Sequence, residues 1–410
     1  MITRVRQHLV DDLIPFWKKL RDDEYGGYYG LLTYDLELDK KAEKGCILNS
    51  RILWFFSSAY SLLKEKSLLD EARHAYKFMT EYCIDKENGG IYWSMTYDGR
   101  VLDSTKHTYN QAFAIYALSA YYEASKDTEA LNLARDLFSI IETKCKDQIG
   151  YKEASNEKFQ EIENDKLSEN GVIASRTMNT LLHVLEAYTL LYKISGDKDV
   201  RKALEQILTL FADKVYNKEL HRQEVFFDND YKSLIDLHSF GHDIETSWLV
   251  DRAVEVIDED GSWKKKITPI TKDLCSRVYD VAFDGRSLAY ECDRGVVNET
   301  RVWWVQAETV VGFINAYEKS GPCEDIKDGK SGNETCEQIS GSDMKYLDAA
   351  RSVLDFIFEY LVDKREGSEW FWEVSKDGEP VPDRPIVEPW KCPYHNGRMC
   401  IEIIRRLANS

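Results

Sequence analysis

Apolar residues recur along this chain in a two-part pattern. "ILNSRILWFFSSAYSLL" (47–63) is apolar on nearly every side, whereas "LDEARHAYKFMTEYC" (69–83) carries its apolar residues on one face. The first reads as a helix buried all round and the second as an amphipathic helix with one wet face. An alternating aromatic run follows, "GGIYWSMTYDG" (89–99), which is strand-like and ends in a turn signal. The same order returns at 108–124, 176–196, 242–257 and 302–321, each buried helix being followed by an amphipathic one and then a short strand-like run. The last helix, "HNGRMCIEIIRRLA" (395–408), has nothing after it, and the first helix (3–20) with "GGYYGLLTYD" (26–35) has nothing before it. The two ends complete one another, which gives about six helical hairpins at a period of roughly 60 residues, longer than common solenoid repeats.

Unpaired terminal halves favour closure, with the last helix beside the first. The pattern therefore predicts an all-α fold: an (α/α)6 barrel of about twelve helices in inner and outer rings, with strand-like loops capping one end. Residues 1–410 are read as one domain. The polar, glycine-rich stretch 321–343, "GPCEDIKDGKSGNETCEQISGSD", reads as a surface insertion between an inner and an outer helix.

In such a ring all inner helices run the same way, so their N-termini converge. Near those starts lie Arg51, Tyr109 with Asn110, Asn179 with His183, His242 with Glu245, Trp303, Trp304 and Glu308, and His395. Polar and aromatic groups from six separated segments would meet in one funnel, where helix N-termini suit an anionic intermediate. Among the other histidines, His8, His74 and His221 read as surface residues and His107 as a neighbour of a helix cap. His183 sits between Leu182 and Val184 and has two readings, core or site. His242 and His395 each open an inner helix and are expected to face solvent.

Composition narrows the function. With 54 basic and 72 acidic residues the formal charge is −18, which disfavours nucleic acid as a partner. Hydrophobic residues make up 43%, enough for a large core. Ten Trp, 24 Tyr and 16 Phe are mostly core, but rings also stack on sugar C–H faces. The nine cysteines show no CxxC pair, so neither a zinc ribbon nor a redox dithiol is supported; Cys323 and Cys336 fall in the polar loop. The N-terminus has no leader pattern and no stretch approaches a membrane span, so a cytoplasmic chain with free thiols is expected.

"HSFGHDIETSW" (238–248) concentrates the candidate chemistry. As a metal site it is weak, because Gly241 separates His238 from His242 and the HExxH order is absent. As a hydrolase it would need two carboxylates across the scissile bond, from Glu245, Glu308 or Asp243. However, Glu245 lies three residues after His242 and Glu308 four after Trp304, spacings that suit orienting a neighbour. Glu245 is thus expected to fix the His242 tautomer. Proton transfer remains: two histidines on separate helices can flank a substrate from both sides, and histidine titrates near neutrality.

These segments resemble the N-acylglucosamine 2-epimerase superfamily, and within it the branch that acts on β-1,4-linked disaccharides. The resemblance runs over nearly the whole chain, through "IPFWKKLRDDEYGGYYG", "SRILWFFSSAY", "KHTYNQAFAIYALS", "HSFGHDIETSWL", "RVWWVQAETVVGF" and "PWKCPYHNGRMC". It implies an (α/α)6 barrel that inverts C2 of the reducing-end sugar of cellobiose, mannobiose or lactose, with no metal and no other cofactor. Residues matching the family's functional positions are Arg51, Tyr109, Asn179, His183, His242, Glu245, Trp248, Trp304, Glu308, Trp390 and His395. The implied mechanism opens the ring, removes the C2 proton with one of His242 and His395, and returns a proton to the other face with the second. Arg51 and His183 would stabilise the enediolate oxygens. Trp304 and Trp390 would stack on sugar, and Trp303 joins the expected substrate contacts. A disaccharide is the expected partner, and a monomer the expected state. A mannose isomerase or an N-acylglucosamine 2-epimerase on the same barrel are the alternatives, followed by an (α/α)6 glycoside hydrolase.

Overall fold

The computed structural model describes residues 1–167, 170–320 and 336–408. Helix α1 is one continuous run of the segments Ile2–Gln7, His8–Leu13 and Ile14–Lys19. Eleven more follow in chain order: α2 (Cys46–Leu63), α3 (Lys66–Phe78), α4 (Thr108–Ser125), α5 (Thr128–Ile140), α6 (Met178–Ser195), α7 (Lys198–Leu210), α8 (Phe240–Ile257), α9 (Ser262–Ala282), α10 (Trp303–Lys319), α11 (Cys336–Phe356) and α12 (His395–Leu407). Helices α3, α5, α7 and α11 each end in one wider, π-type turn.

The even-numbered helices form the inner ring. Each packs against the next, from α2 round to α12, and α12 packs back on α2. The odd-numbered helices pack outside them, with α1 lying on α12. This is the expected (α/α)6 barrel, and the burial pattern explains it. Helix α4 is buried at every position from Thr108 to Tyr121, because it is covered by the outer ring on one side and by the barrel interior on the other. Helix α7 buries only Val200, Ala203, Leu204, Ile207 and Leu208, the single stripe of an outer helix.

Inner-to-outer connections are tight. Lys64, Lys126 and Gly196 end α2, α4 and α6 in the left-handed conformation, and Asp127 and Asp197 then cap α5 and α7 through their side chains. Outer-to-inner connections are long and carry the short strands, all at the end where inner helices begin. Each strand entering an inner helix pairs antiparallel with the loop of the following repeat: Lys44–Gly45 with Ser94–Met95, Lys106–His107 with Ala154–Ser155, and Arg176–Thr177 with Phe226–Phe227. Leu237–Ser239 pairs with Glu291–Asp293 and Arg301–Val302 with Glu373–Val374, while Leu32 bridges Val387 and closes the circle.

A buried cation paired with a carboxylate locks most of these entries. Lys44 bonds Asp22 at 2.5 Å, Lys106 bonds Asp85 at 2.9 Å, Arg176 bonds Asp147 at 2.6 Å, Arg301 bonds Asp284 at 2.7 Å and Lys391 bonds Glu369 at 2.7 Å. The cation stands two residues before its helix in the first four. Before α8 that place is held by His238, whose Nε2 lies 2.8 Å from Asp243 Oδ2. The histidine pair of the 238–248 stretch is thereby divided: His238 fills a structural slot that elsewhere holds lysine or arginine.

Four sequence expectations change. His8 is buried, not exposed; Trp370 Nε1 donates to its Nε2 at 2.8 Å, and Asp12 lies 2.7 Å from its Nδ1. His74 is half-buried against the Gly27 carbonyl at 3.0 Å. Of the insertion at 321–343, residues 321–335 lie outside the described residues, while 336–343 are helical because α11 begins at Cys336. Cys336 therefore opens a helix and does not lie in a loop. The seven cysteines whose side chains are described are free thiols.

Candidate active site

A cavity of about 240 Å³ opens at the mouth of the inner ring. Ten of the twelve expected site residues line it: Arg51, Tyr109, Asn179, His183, His242, Glu245, Trp303, Trp304, Trp390 and His395. They come from all six inner helices and the loop before α12. Convergence follows from ring closure, since every side chain but Trp390 lies within the first two turns of helices that start at one end.

His395 and His242 both pack near the Trp304 indole, their ring centroids 5.6 and 4.7 Å from it. His395 is only 7% exposed, because Trp303 also stands edge-on to it at 5.3 Å, so the expectation of a solvent-facing residue is corrected. Its Nδ1 lies 2.7 Å from Glu308 Oε1. A carboxylate only accepts, so Nδ1 carries the proton and Nε2 keeps a free lone pair. Burial, then the Arg398 and Arg51 charges, push the His395 pKa well below its usual value. Burial, then His183, push His242 down to about 3. Both rings are neutral at pH 7 and can accept a proton.

Glu245 does not orient His242. The His242 Nδ1 lies 2.7 Å from Ser239 Oγ, and the Glu245 carboxylate bonds Arg398 instead. Arg398, fully buried, donates to Glu186, to Glu245, to Tyr394 Oη and, at 2.7 Å, to Glu308 Oε1. Glu186 in turn lies 3.0 Å from His183 Nδ1 and accepts from Tyr394 Oη. Burial opposes ionisation of Glu186, but Arg398, His183 and Tyr394 outweigh it and draw its pKa down to about 2. Burial and the nearby Glu308 push Glu245 up to about 7.

Glu308 and Trp248, also expected among the substrate contacts, are not among the residues that line the cavity. Both are fully buried behind the wall, and Trp248 Nε1 donates to Glu308 Oε2 at 3.1 Å. Trp248 thus holds the Glu308 carboxylate that lies against His395 Nδ1. Asn110 is likewise turned away, donating to the Tyr92 carbonyl at 2.7 Å. In the wall, Arg51 Nη2 donates to Tyr109 Oη at 2.7 Å and Nη1 to the Trp390 carbonyl at 3.3 Å. In this wall the buried Arg51 Nε and Asn179 Oδ1 have no hydrogen-bond partner among the described residues.

Glu245, Glu308 and His395 bring ligand atoms within 4.8 Å of one another, a spacing compatible with a metal. The Arg398 guanidinium bonds both carboxylates and already supplies their counter-charge. A divalent ion would have to displace it, so this donor set does not suit a resident metal.

Sequence reasoning missed Ser239, Glu186, Tyr394 and Arg398. Three of them stand one helical turn from an expected histidine (239/242, 183/186, 395/398), a signal that was available. It also missed Lys166, Asn170, Tyr290, Glu291 and Trp372, which reach the cavity from the connections between outer and inner helices and leave no periodic trace.

Comparison with known proteins bears on this geometry. Residues 26–397 match the N-acylglucosamine 2-epimerase (GlcNAc 2-epimerase) family. The chain is 50% identical over 407 residues to a cellobiose 2-epimerase of Ruminococcus albus, covering 99% of each. A sugar epimerase from a ruminal bacterium superposes with a TM-score of 0.92 at 49% identity, covering 99% of both chains. The cellobiose 2-epimerase of Bacillus thermoamylovorans superposes with 0.90 at 44% identity, again over 99% of both. A D-mannose isomerase, 18% identical with a TM-score of 0.81, shares the fold. Among the described residues no helix is long and apolar enough to cross a membrane.

Proposed function

The chain belongs to the N-acylglucosamine 2-epimerase family, and from that premise we propose that it inverts C2 of the reducing-end sugar of β-1,4-linked disaccharides, converting cellobiose to glucosyl-mannose. The carrying observation is that His242 and His395, from two different inner helices, line one cavity in a chain half identical, end to end, to a cellobiose 2-epimerase. Once the reducing ring opens, one histidine takes the C2 proton and leaves a cis-enediolate. The intermediate turns about its C2–C3 region, the second histidine, having first drawn a proton from solvent, delivers it to the opposite face, and the first then releases the C2 proton to solvent.

The remaining wall residues fit this scheme. Arg51 and His183 face the same space and would stabilise the enediolate oxygens; the Arg51 cation is held in place by Tyr109 and the Trp390 carbonyl. Glu308 supports His395 as it gains charge. Trp304, near both histidines, and Trp390 line the same cavity and offer ring faces for sugar stacking.

The test is the reaction in D2O, followed by NMR. Glucosyl-mannose formed early from cellobiose carries deuterium at C2 and none at C3, because the two histidines exchange with solvent separately. Protium retained at C2 refutes proton exchange through this pair. Fructose from free mannose would instead indicate an aldose–ketose isomerase, and glucose from cellobiose a hydrolase.

A further inference from the structure

Serine in the residue before a helix ordinarily accepts from a free N–H of the first turn. Thr177 does so before α6, accepting from Thr180 N. Ser239 holds the corresponding place before α8 and makes no such bond. It is buried, and its Oγ lies 2.7 Å from His242 Nδ1. The helix thus forgoes a side-chain cap, and the hydroxyl goes to an imidazole that borders the cavity.

We propose that Ser239 is a positioning residue for proton transfer, holding the His242 ring by Nδ1 so that Nε2 stays turned to the substrate through both directions of the reaction. This rests on reading His242 as one of the two proton carriers. The argument is chemical. A carboxylate in this place, such as Glu308 at His395, can only accept, whereas a hydroxyl both donates and accepts. The bond to Nδ1 therefore persists whether that nitrogen is bare or protonated, and the ring keeps one orientation as it gains and loses charge. Gly241 completes the arrangement. A Cβ there would lie 2.6 Å from Trp304 Cη2, so the bare backbone admits the indole that packs against the His242 ring. The imidazole is fixed along its Nδ1 edge by Ser239 and on one side by Trp304.

Ser239→Ala removes the hydroxyl and little else. The kcat for cellobiose should fall about 10- to 100-fold, the usual size for losing the outer partner of a functional histidine. KM should stay within about twofold, since the group acts on the reacting state and not on binding, and the unfolding midpoint should be unchanged. In 15N-histidine-labelled protein the His242 Nδ1 signal, assigned by its loss in His242→Asn, should shift in Ser239→Ala. Unchanged kcat, an unmoved Nδ1 signal, or a loss that appears equally in KM and the unfolding midpoint each overturn the proposal. If the unaltered chain does not epimerise cellobiose, the functional reading fails instead, and the nitrogen spectrum, which needs no substrate, still decides whether Ser239 holds the ring.

Discussion

Arg398→Met would remove the guanidinium that pairs with three buried carboxylates, those of Glu186, Glu245 and Glu308. At an effective dielectric of about 20, unit charges about 4 Å apart attract by roughly 4 kcal/mol. Taking each ion out of water costs several kcal/mol in the other direction, so the assembled cluster adds little net stability. Breaking it is a different matter: carboxylates left buried without a counter-charge typically cost ~3–5 kcal/mol. The sign with pH distinguishes this from ordinary packing loss. In the unaltered protein Glu186 is drawn down to about 2. Its folded pKa lies below the unfolded value, so its contribution is present above about pH 4.5 and is lost only as pH falls toward 2. Without Arg398, burial of the three carboxylates is opposed only by their hydrogen bonds from His183, Tyr394, Trp248 and His395, so their folded pKa values rise, those of Glu245 and Glu308 further above the unfolded value than before, and stability is lost as pH rises. Urea unfolding of both proteins from pH 5 to 8 should therefore show the widest gap at pH 8, narrowing toward pH 5. A protonated Glu308 could not support a charged His395, so kcat should also fall by ~10²–10⁴-fold. A gap equal at pH 5 and pH 8, with kcat retained, would refute the reasoning.

Replacing His242 or His395 by alanine should each remove ~10²–10⁴-fold of turnover with the fold intact by circular dichroism; more than about a tenth of activity in either variant contradicts the two-histidine scheme. Gly241→Ala places a Cβ 2.6 Å from Trp304 and 2.7 Å from Val305. Displacing that indole should cost about 10- to 100-fold in kcat/KM for cellobiose, read by steady-state kinetics. Glu153 is pushed up to about 8 by burial, although Thr177 N and Thr180 Oγ1 both donate to it at 2.6 Å. Its folded pKa exceeds the unfolded one, so its contribution is full below about pH 4.5 and fades as pH rises to 8. Glu153→Gln should flatten that decline in a pH series of urea unfolding midpoints, and an unaltered slope would contradict the assignment.

Ring closure, hairpin order and the end of the barrel that carries the site were all legible in the sequence. A helix that is apolar all round must be covered on every side, and a helix apolar on one stripe must not be. Those two signatures, alternating between unpaired ends, leave a closed double ring as the arrangement that buries them. Because inner helices then run in parallel, residues near their starts must meet, and His242, His395, His183 and Arg51 could be grouped with no coordinates.

What spacing along one helix could not decide is which partner each side chain takes. Glu245 stands one turn from His242, yet bonds Arg398 across the barrel. Glu308, read against Trp304 on its own helix, lies instead against His395 on the next. His238, adjacent to the site in sequence, belongs to the series of buried ion-pair positions that anchor helix entries. The reason is geometric. Inner helices present their starts to a common axis, so neighbours across the ring are as near as neighbours one turn away, and a buried guanidinium draws carboxylates from three helices at once. Local periodicity ranks contacts within a helix, whereas the competition among helices is settled only when the ring closes.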